Sequence, residues 1–162
     1  MNDFTQMLQP WQTFYSTIAT AAATLAGLLF VSLSLNRDRL DARAKLFAQS
    51  TFANLINVLV LALIFLIPHQ QASGLSIALF SFGLASFVST LIQSFKTGGK
   101  AKLPITTTVR LVALPLVLSL TILLIAWEIY QGQKAAMFWF IGVIVLLLGS
   151  ASWNAWEILF HE

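Results

Sequence analysis

Hydroxyl side chains recur along one face of the first apolar stretch of this sequence. Small residues follow one another there at intervals of four and three positions, which is the repeat of a single helix face. The face comprises Thr13, Thr17, Thr20, Thr24, Gly27, Val31 and Ser34. Such residues let helices approach closely and hydrogen-bond, and in a pore their oxygens solvate water or an ion. Two interpretations therefore stay open: a packing interface inside a bundle, and a polar path around a symmetry axis.

The second apolar stretch contains two carboxamides, Asn54 and Asn57, with Ser50 and Thr51 close before them. A carboxamide surrounded by lipid needs a hydrogen-bond partner, so we expect contacts with another helix. The threonines of the first stretch are the candidate partners. A contact with a substrate or an ion is the alternative.

Residues that could carry a reaction are sparse and badly placed for one. Glu128, Glu157 and Arg110 lie near the ends of apolar stretches, and His69 and His161 lie outside them. Proton-coupled carriers usually place a carboxylate or a histidine at the bilayer centre, so this placement argues against an ion-coupled transporter. The sequence has no zinc-protease motif, no Gly-rich phosphate loop and no cysteine. We therefore expect a protein that is not an enzyme and that holds no metal and no cofactor.

The elements that position these residues are five long apolar stretches. Hydrophobic residues make up 58% of the 162 residues and charged residues only 9%, against about 25% charged residues in a soluble domain. A helix of roughly 20 residues crosses the hydrocarbon core, and the backbone must satisfy its own hydrogen bonds there. We predict an all-α integral membrane bundle of five transmembrane helices, one domain over residues 1–162. The predicted spans are about 13–35, 50–67, 74–95, 109–130 and 136–156.

Proline and glycine mark the ends and contacts of these spans. Pro10 suits the opening turn of the first span, and Pro115 predicts a kink in the fourth. The segments 68–74 and 131–134 are predicted to be tight turns. Gly142 and Gly149 share one face of the fifth span, and this spacing favours a close helix contact there.

Basic residues concentrate in the first and third gaps between the spans. These residues are Arg37, Arg39, Arg43 and Lys45, then Lys96, Lys100 and Lys102. Because Lys and Arg favour the cytoplasmic side, five spans place the N-terminus outside and the C-terminus in the cytoplasm. The same residues are candidate contacts for lipid headgroups or a partner protein, and we expect no nucleic-acid partner. Aromatic residues near the span ends indicate an interfacial belt: Trp11, Tyr15, Trp127, Tyr130, Trp139, Trp153 and Trp156.

The alanine-rich run Ala21–Asn36, preceded by Trp11 and Phe14-Tyr15, resembles a pattern in small uncharacterised bacterial multispan membrane proteins. Some of those proteins are labelled modulators of a membrane-anchored AAA protease. The resemblance covers residues 11–36 and implies a multi-pass protein of the bacterial inner membrane. It transfers no functional residue.

For function, the residues favour a non-enzymatic membrane protein that forms a homo-oligomer, with a narrow ion or water channel as its specific form. One alternative is a membrane-embedded modulator or assembly partner of a larger machine, such as a protease complex. Another is a lipid-handling membrane protein. The expected partners are membrane lipids, further copies of the chain and, for the modulator, another membrane protein.

Overall fold

The computed structural model describes residues 3–36, 42–98, 109–133 and 136–160. These residues form five α-helices and contain no strand, which confirms the predicted all-α fold. The helices are α1 (Asp3–Leu35), α2 (Ala42–Phe65), α3 (Ala72–Gly98), α4 (Leu114–Tyr130) and α5 (Ala136–Phe160). A π-helical turn, Val109–Ala113, precedes α4. Helices α1, α2, α3 and α5 are long and apolar enough to cross a membrane, whereas α4 is a shorter apolar helix of 17 residues.

Helix α1 starts earlier than predicted. It begins at Asp3, and Pro10 lies inside it and not at its opening turn. Its 33 residues extend over about 50 Å, well beyond the roughly 30 Å of a hydrocarbon core. The predicted span therefore marks only the apolar part of a longer helix, because hydropathy reports the lipid-immersed section and not where helical hydrogen bonding begins.

Pro115 also has a different setting from the one predicted. It does not interrupt a continuous α-helix, because it stands in the first turn of α4, immediately after the π-helical turn. The helical run continues through Ala113, which has αR backbone angles, so the missing N–H of Pro115 falls where the π-helical turn gives way to the α-helix. The predicted kink in the fourth span is thus a change of helix type at Ala113–Leu114.

The structure has turns close to the predicted segments 68–74 and 131–134, but the first one covers residues 66–71, so residues 72–74 belong to α3. Helix α2 ends at Phe65, three residues before Pro68, and α3 begins at Ala72. Helix α4 ends in a Schellman motif, in which the Gln133 N–H donates to the Glu128 carbonyl and the Gly132 N–H to the Ile129 carbonyl, both at 3.0 Å. Gly132 has a φ of +80°, a conformation that a residue with a Cβ rarely adopts.

The helix contacts divide the chain into two compact units. The first consists of Met1–His69 with Ile144–Glu162, and the second of Gln70–Val143. In the first unit α1 and α2 are antiparallel, since the Tyr15 ring stacks on Phe65 while Ala26 meets Leu55 further along. The Tyr15–Phe65 ring centroids are 4.3 Å apart. Tyr15 is only 1% exposed, so it belongs to the core and not to the predicted aromatic belt.

The second unit is built on the antiparallel pair α3 and α4. The Ser76 hydroxyl donates to the Ala126 carbonyl across this pair at 2.6 Å. Two turns along α3, a Cβ added at Gly83 would lie 3.0 Å from Leu123 Cδ2 and 3.2 Å from Ile122 Cγ2. Serine and glycine are therefore the residues that let these two helices approach closely.

Candidate functional site

The hydroxyl face of α1 is exposed in the part of the chain that the structure describes. Thr17, Thr20, Thr24 and Gly27 are all exposed, as are Thr13, Val31 and Ser34. A Cβ added at Gly27 would meet no atom within 4 Å. The first helix instead packs on its own chain through a neighbouring face of small residues, which includes Ala19, Ala22 and Ala26. Within the described residues, the face that the sequence indicates is thus continuous and exposed.

The hydroxyls of this face bond within α1 itself. Thr17 donates to the Thr13 carbonyl at 2.9 Å and Thr24 to the Thr20 carbonyl at 2.8 Å. Thr20 donates to the Ser16 carbonyl and Ser34 to the Phe30 carbonyl in the same way. A hydroxyl has one proton and two lone pairs, so each of these oxygens has spent its proton and still accepts hydrogen bonds. The face presents a row of acceptors to whatever covers it.

The carboxamide of Asn54 has a partner that sequence reasoning did not identify. Its Nδ2 donates to Ser150 Oγ of α5 at 3.2 Å, and not to the threonines of α1. The reverse bond also exists: Asn154 Nδ2 of α5 donates to Ser50 Oγ at 3.3 Å. We call these four residues the Asn–Ser clasp. Both Asn54 and Asn154 are buried, at 7% and 1% exposure.

A signal for the Asn–Ser clasp was present in the sequence. Both helices carry serine and asparagine four positions apart, as Ser50–Asn54 and as Ser150–Asn154. Residues four apart share a helix face. When two antiparallel helices bring such faces together, each asparagine lies opposite a serine. Finding this requires knowing which helices are neighbours, and no local pattern shows that.

Apolar side chains enclose the Asn–Ser clasp. Ala26, Leu55 and Ala151 form a buried cluster beside it, with Leu29, Phe52, Ile56 and Leu148 packed around them. An unpaired carboxamide in such surroundings would lose its hydrogen bonds to water without replacement. Thr51 is also buried and bonds to the Phe47 carbonyl of its own helix, while Asn57 is only half-buried. The clasp therefore contributes to docking α5 and is not open to a ligand.

The glycines of α5 do not make the contact predicted for them within the chain. A Cβ added at Gly142 or at Gly149 would meet no atom within 4 Å. Among the glycines that the structure describes, Gly83 is the one that another helix approaches closely. Glycine spacing on one helix cannot distinguish these cases, because the contact depends on the partner helix.

Most of the basic candidate residues lie outside the part of the chain whose side chains the structure describes. Lys45 is exposed near the start of α2. Arg43 and Lys96 lie in α2 and α3, but their side chains are outside the described set. The remaining candidates are outside the described residues: Arg37, Arg39, Lys100 and Lys102. Their contact with lipid headgroups or a partner stays a prediction, and so does the expected lack of a metal or cofactor.

Together these features define a class of protein. Apolar helices of membrane-spanning length, buried small-residue contacts between them and a buried polar clasp are typical of an all-α, multi-pass membrane protein. No protein-family model, curated protein or solved structure matches the sequence.

Proposed function

We propose that the chain is a non-enzymatic membrane protein that forms a homo-oligomer through α1, with the hydroxyl face of α1 lining a narrow path for water or cations. The observation that supports this most is the exposure of the whole face from Thr13 to Gly27. Its location is proposed to be the bacterial inner membrane.

The use of polar groups differs between the helices. The asparagines at 54 and 154 are buried and bond inside the chain, whereas the threonines of α1 are turned outward. Only 17% of the apolar stretch of α1 is buried, against 44% for α2. Helix α1 lies at the edge of the first unit and carries small residues on its exposed face. Such a face is expected at an interface between copies of the chain.

The chemistry of the face favours water or a cation over an anion. The hydroxyl protons bond to backbone carbonyls, so the oxygens present lone pairs. A closed ring of identical subunits would repeat this row around its axis. Oxygen ligands without a fixed charge can replace hydration water without holding an ion tightly, as conduction requires.

The test combines assembly with conduction. Purified protein in mild detergent should give one oligomer of defined size by native mass measurement. Reconstituted protein should conduct cations in planar bilayers, with little anion current. Thr20→Val and Thr24→Val are suitable probes, because each removes an exposed oxygen whose proton bonds within α1 itself.

Two outcomes would decide against this function. If the protein is a monomer and the bilayers carry no current, the α1 face contacts lipid, where its internally bonded hydroxyls are tolerated. A monomer that purifies with a stoichiometric membrane partner would instead support the modulator alternative. Ser119→Ala is the matched control for the threonine variants, because that hydroxyl is buried in the second unit and should not alter conduction.

A further inference from the structure

The direction of each helix in the first unit can be established from its contacts. Tyr15 of α1 meets Phe65 of α2, and Ala26 meets Leu55, so residue numbers rise along α1 as they fall along α2. In the Asn–Ser clasp, Ser50 pairs with Asn154 and Asn54 with Ser150. Helices α2 and α5 are therefore antiparallel as well. It follows that α1 and α5 run in the same direction.

From these directions we infer that the start of α1 and the end of α5 lie on opposite sides of the membrane, and that the short helix α4 crosses it. Each helix of the first unit is long and apolar enough to span the bilayer. Because α2 and α5 are antiparallel, α2 ends on the side where α5 begins. The chain between them must then cross an even number of times.

Helix α3 supplies one of those crossings. Its apolar stretch, Ala72–Phe95, has 24 residues and no charged residue. A single crossing would bring the chain to the wrong side for the start of α5, so α4 must supply the second. Among the described residues, length and composition select four spanning helices, but the Asn–Ser clasp requires a fifth crossing.

The π-helical turn explains how α4 can be long enough. The 17 residues of α4 alone rise about 26 Å, short of the roughly 30 Å hydrocarbon core. Val109–Ala113 adds five helical residues at its start and raises the helical length to roughly 30 Å. Helix α4 and its π-helical turn together therefore match the bilayer, which α4 alone does not.

Sidedness of single cysteines tests the crossing number directly. The chain contains no cysteine, so each introduced thiol is the only one present. Gln71 and Gln133 are exposed in the turns before α3 and after α4, and Asn36 follows α1. In right-side-out vesicles, an impermeant maleimide should give one of two patterns. It should label both Gln71→Cys and Gln133→Cys but not Asn36→Cys, or label Asn36→Cys and neither of the other two. Gln71→Cys and Gln133→Cys on different sides would overturn the inference, whichever side is the cytoplasm.

Cross-linking tests the antiparallel pairing on which the inference rests. A short methanethiosulfonate cross-linker should join Ser50→Cys with Asn154→Cys, and Asn54→Cys with Ser150→Cys. The matched controls are Ser50→Cys with Ser150→Cys, and Asn54→Cys with Asn154→Cys, which would be closest if the helices were parallel. Stronger cross-linking of the controls would contradict the clasp. Neither assay depends on oligomer formation or conduction, so this inference can fail or hold separately from the proposed function.

Discussion

At the scale of single residues, what a polar group bonds to matters more than its presence in an apolar helix. Threonine in α1 satisfies its proton on a carbonyl four residues back, so it can face lipid, water or another subunit. Asparagine has two donors on its amide and cannot satisfy them all on its own helix, so Asn54 and Asn154 reach across to α5 and α2. This difference explains why the threonines of α1 can occupy an exposed face while Asn54 and Asn154 lie in the core.

Loss of the Asn–Ser clasp should be measurable as lost stability. Asn154→Ala removes the bond to Ser50 and leaves a small cavity, so we expect a loss of about 1–2 kcal/mol. Thermal unfolding in detergent, followed by circular dichroism, would measure it. The exchange Ser50→Asn with Asn154→Ser should recover part of the loss, since it keeps one donor and one acceptor. Asn57→Ala, at a half-buried site, should cost less; an equal cost at both sites would argue against the clasp.

Substitutions on the outer face of α1 should separate assembly from folding. Thr24→Leu and Gly27→Leu enlarge side chains that are exposed in the described part of the chain, so helix content and thermal stability of the monomer should change little. The oligomer seen by native mass measurement should weaken or disappear, because a close helix contact has no room for the added atoms. Leu63→Ile, on an exposed part of α2, is the control and should keep the oligomer. An intact oligomer in all three variants would remove α1 from the interface.

At the scale of elements, short side chains form several of the close contacts between helices, beside the stacked rings of Tyr15 and Phe65. Helices α3 and α4 meet at Gly83 and Ser76, while α1 meets its neighbours through alanines. Lipid tails are as apolar as the helix surfaces, so the hydrophobic effect does little to hold helices together in a bilayer. Close backbone approach and a few hydrogen bonds therefore supply much of the association energy. A single bulky substitution at such a point should therefore have a large effect.

Gly83 offers the sharpest test of this. Gly83→Leu forces side-chain atoms into Leu123 and Ile122, and we expect a loss of about 1–3 kcal/mol through overpacking. Gly142→Leu in the same unit faces open space and should be tolerated by the isolated chain. Midpoints of thermal unfolding for the two variants, compared in one detergent, give the difference. Similar midpoints would show that the α3–α4 contact adapts and does not depend on glycine.

At the scale of the whole molecule, five crossings would bring most of the positive charge to one side. The first and third gaps, with Arg110, hold eight of the nine Lys and Arg residues, and the fourth gap holds only Lys134. The positive-inside rule then predicts that the start of α1 lies outside the cell and the end of α5 in the cytoplasm. The crossing number follows from the helix directions and the orientation from charge, so the predicted topology has two independent supports.

A reporter inserted after Gln133 tests that orientation. A phosphatase that folds only outside the cytoplasm should be active at this turn, because the α4–α5 connection is on the side poor in Lys and Arg. A fluorescent protein that matures only in the cytoplasm should stay dark there. The reverse result would invert the orientation while leaving five crossings intact.

The hydropathy of the chain was sufficient to predict its all-α class, its five helices and the approximate position of each. This works because lipid requires long apolar runs and internally bonded backbones, and both requirements are local along the chain. The seven-residue repeat likewise identified the continuous face of α1, since the residues of one helix face are set by spacing alone. Even the ends of helices were partly readable, from Pro68 and Gly132.

The partners of each face depended on which helices are neighbours. The bond from Asn54 to Ser150 joins residues 96 positions apart, and nothing near Asn54 in the chain indicates it. The sequence also does not distinguish Gly83 from Gly142. A neighbouring helix approaches Gly83 closely, whereas a Cβ at Gly142 would face open space. The outward placement of the threonines was likewise a matter of packing, because α1 had two small-residue faces and burial of the alanine face left the hydroxyl face free.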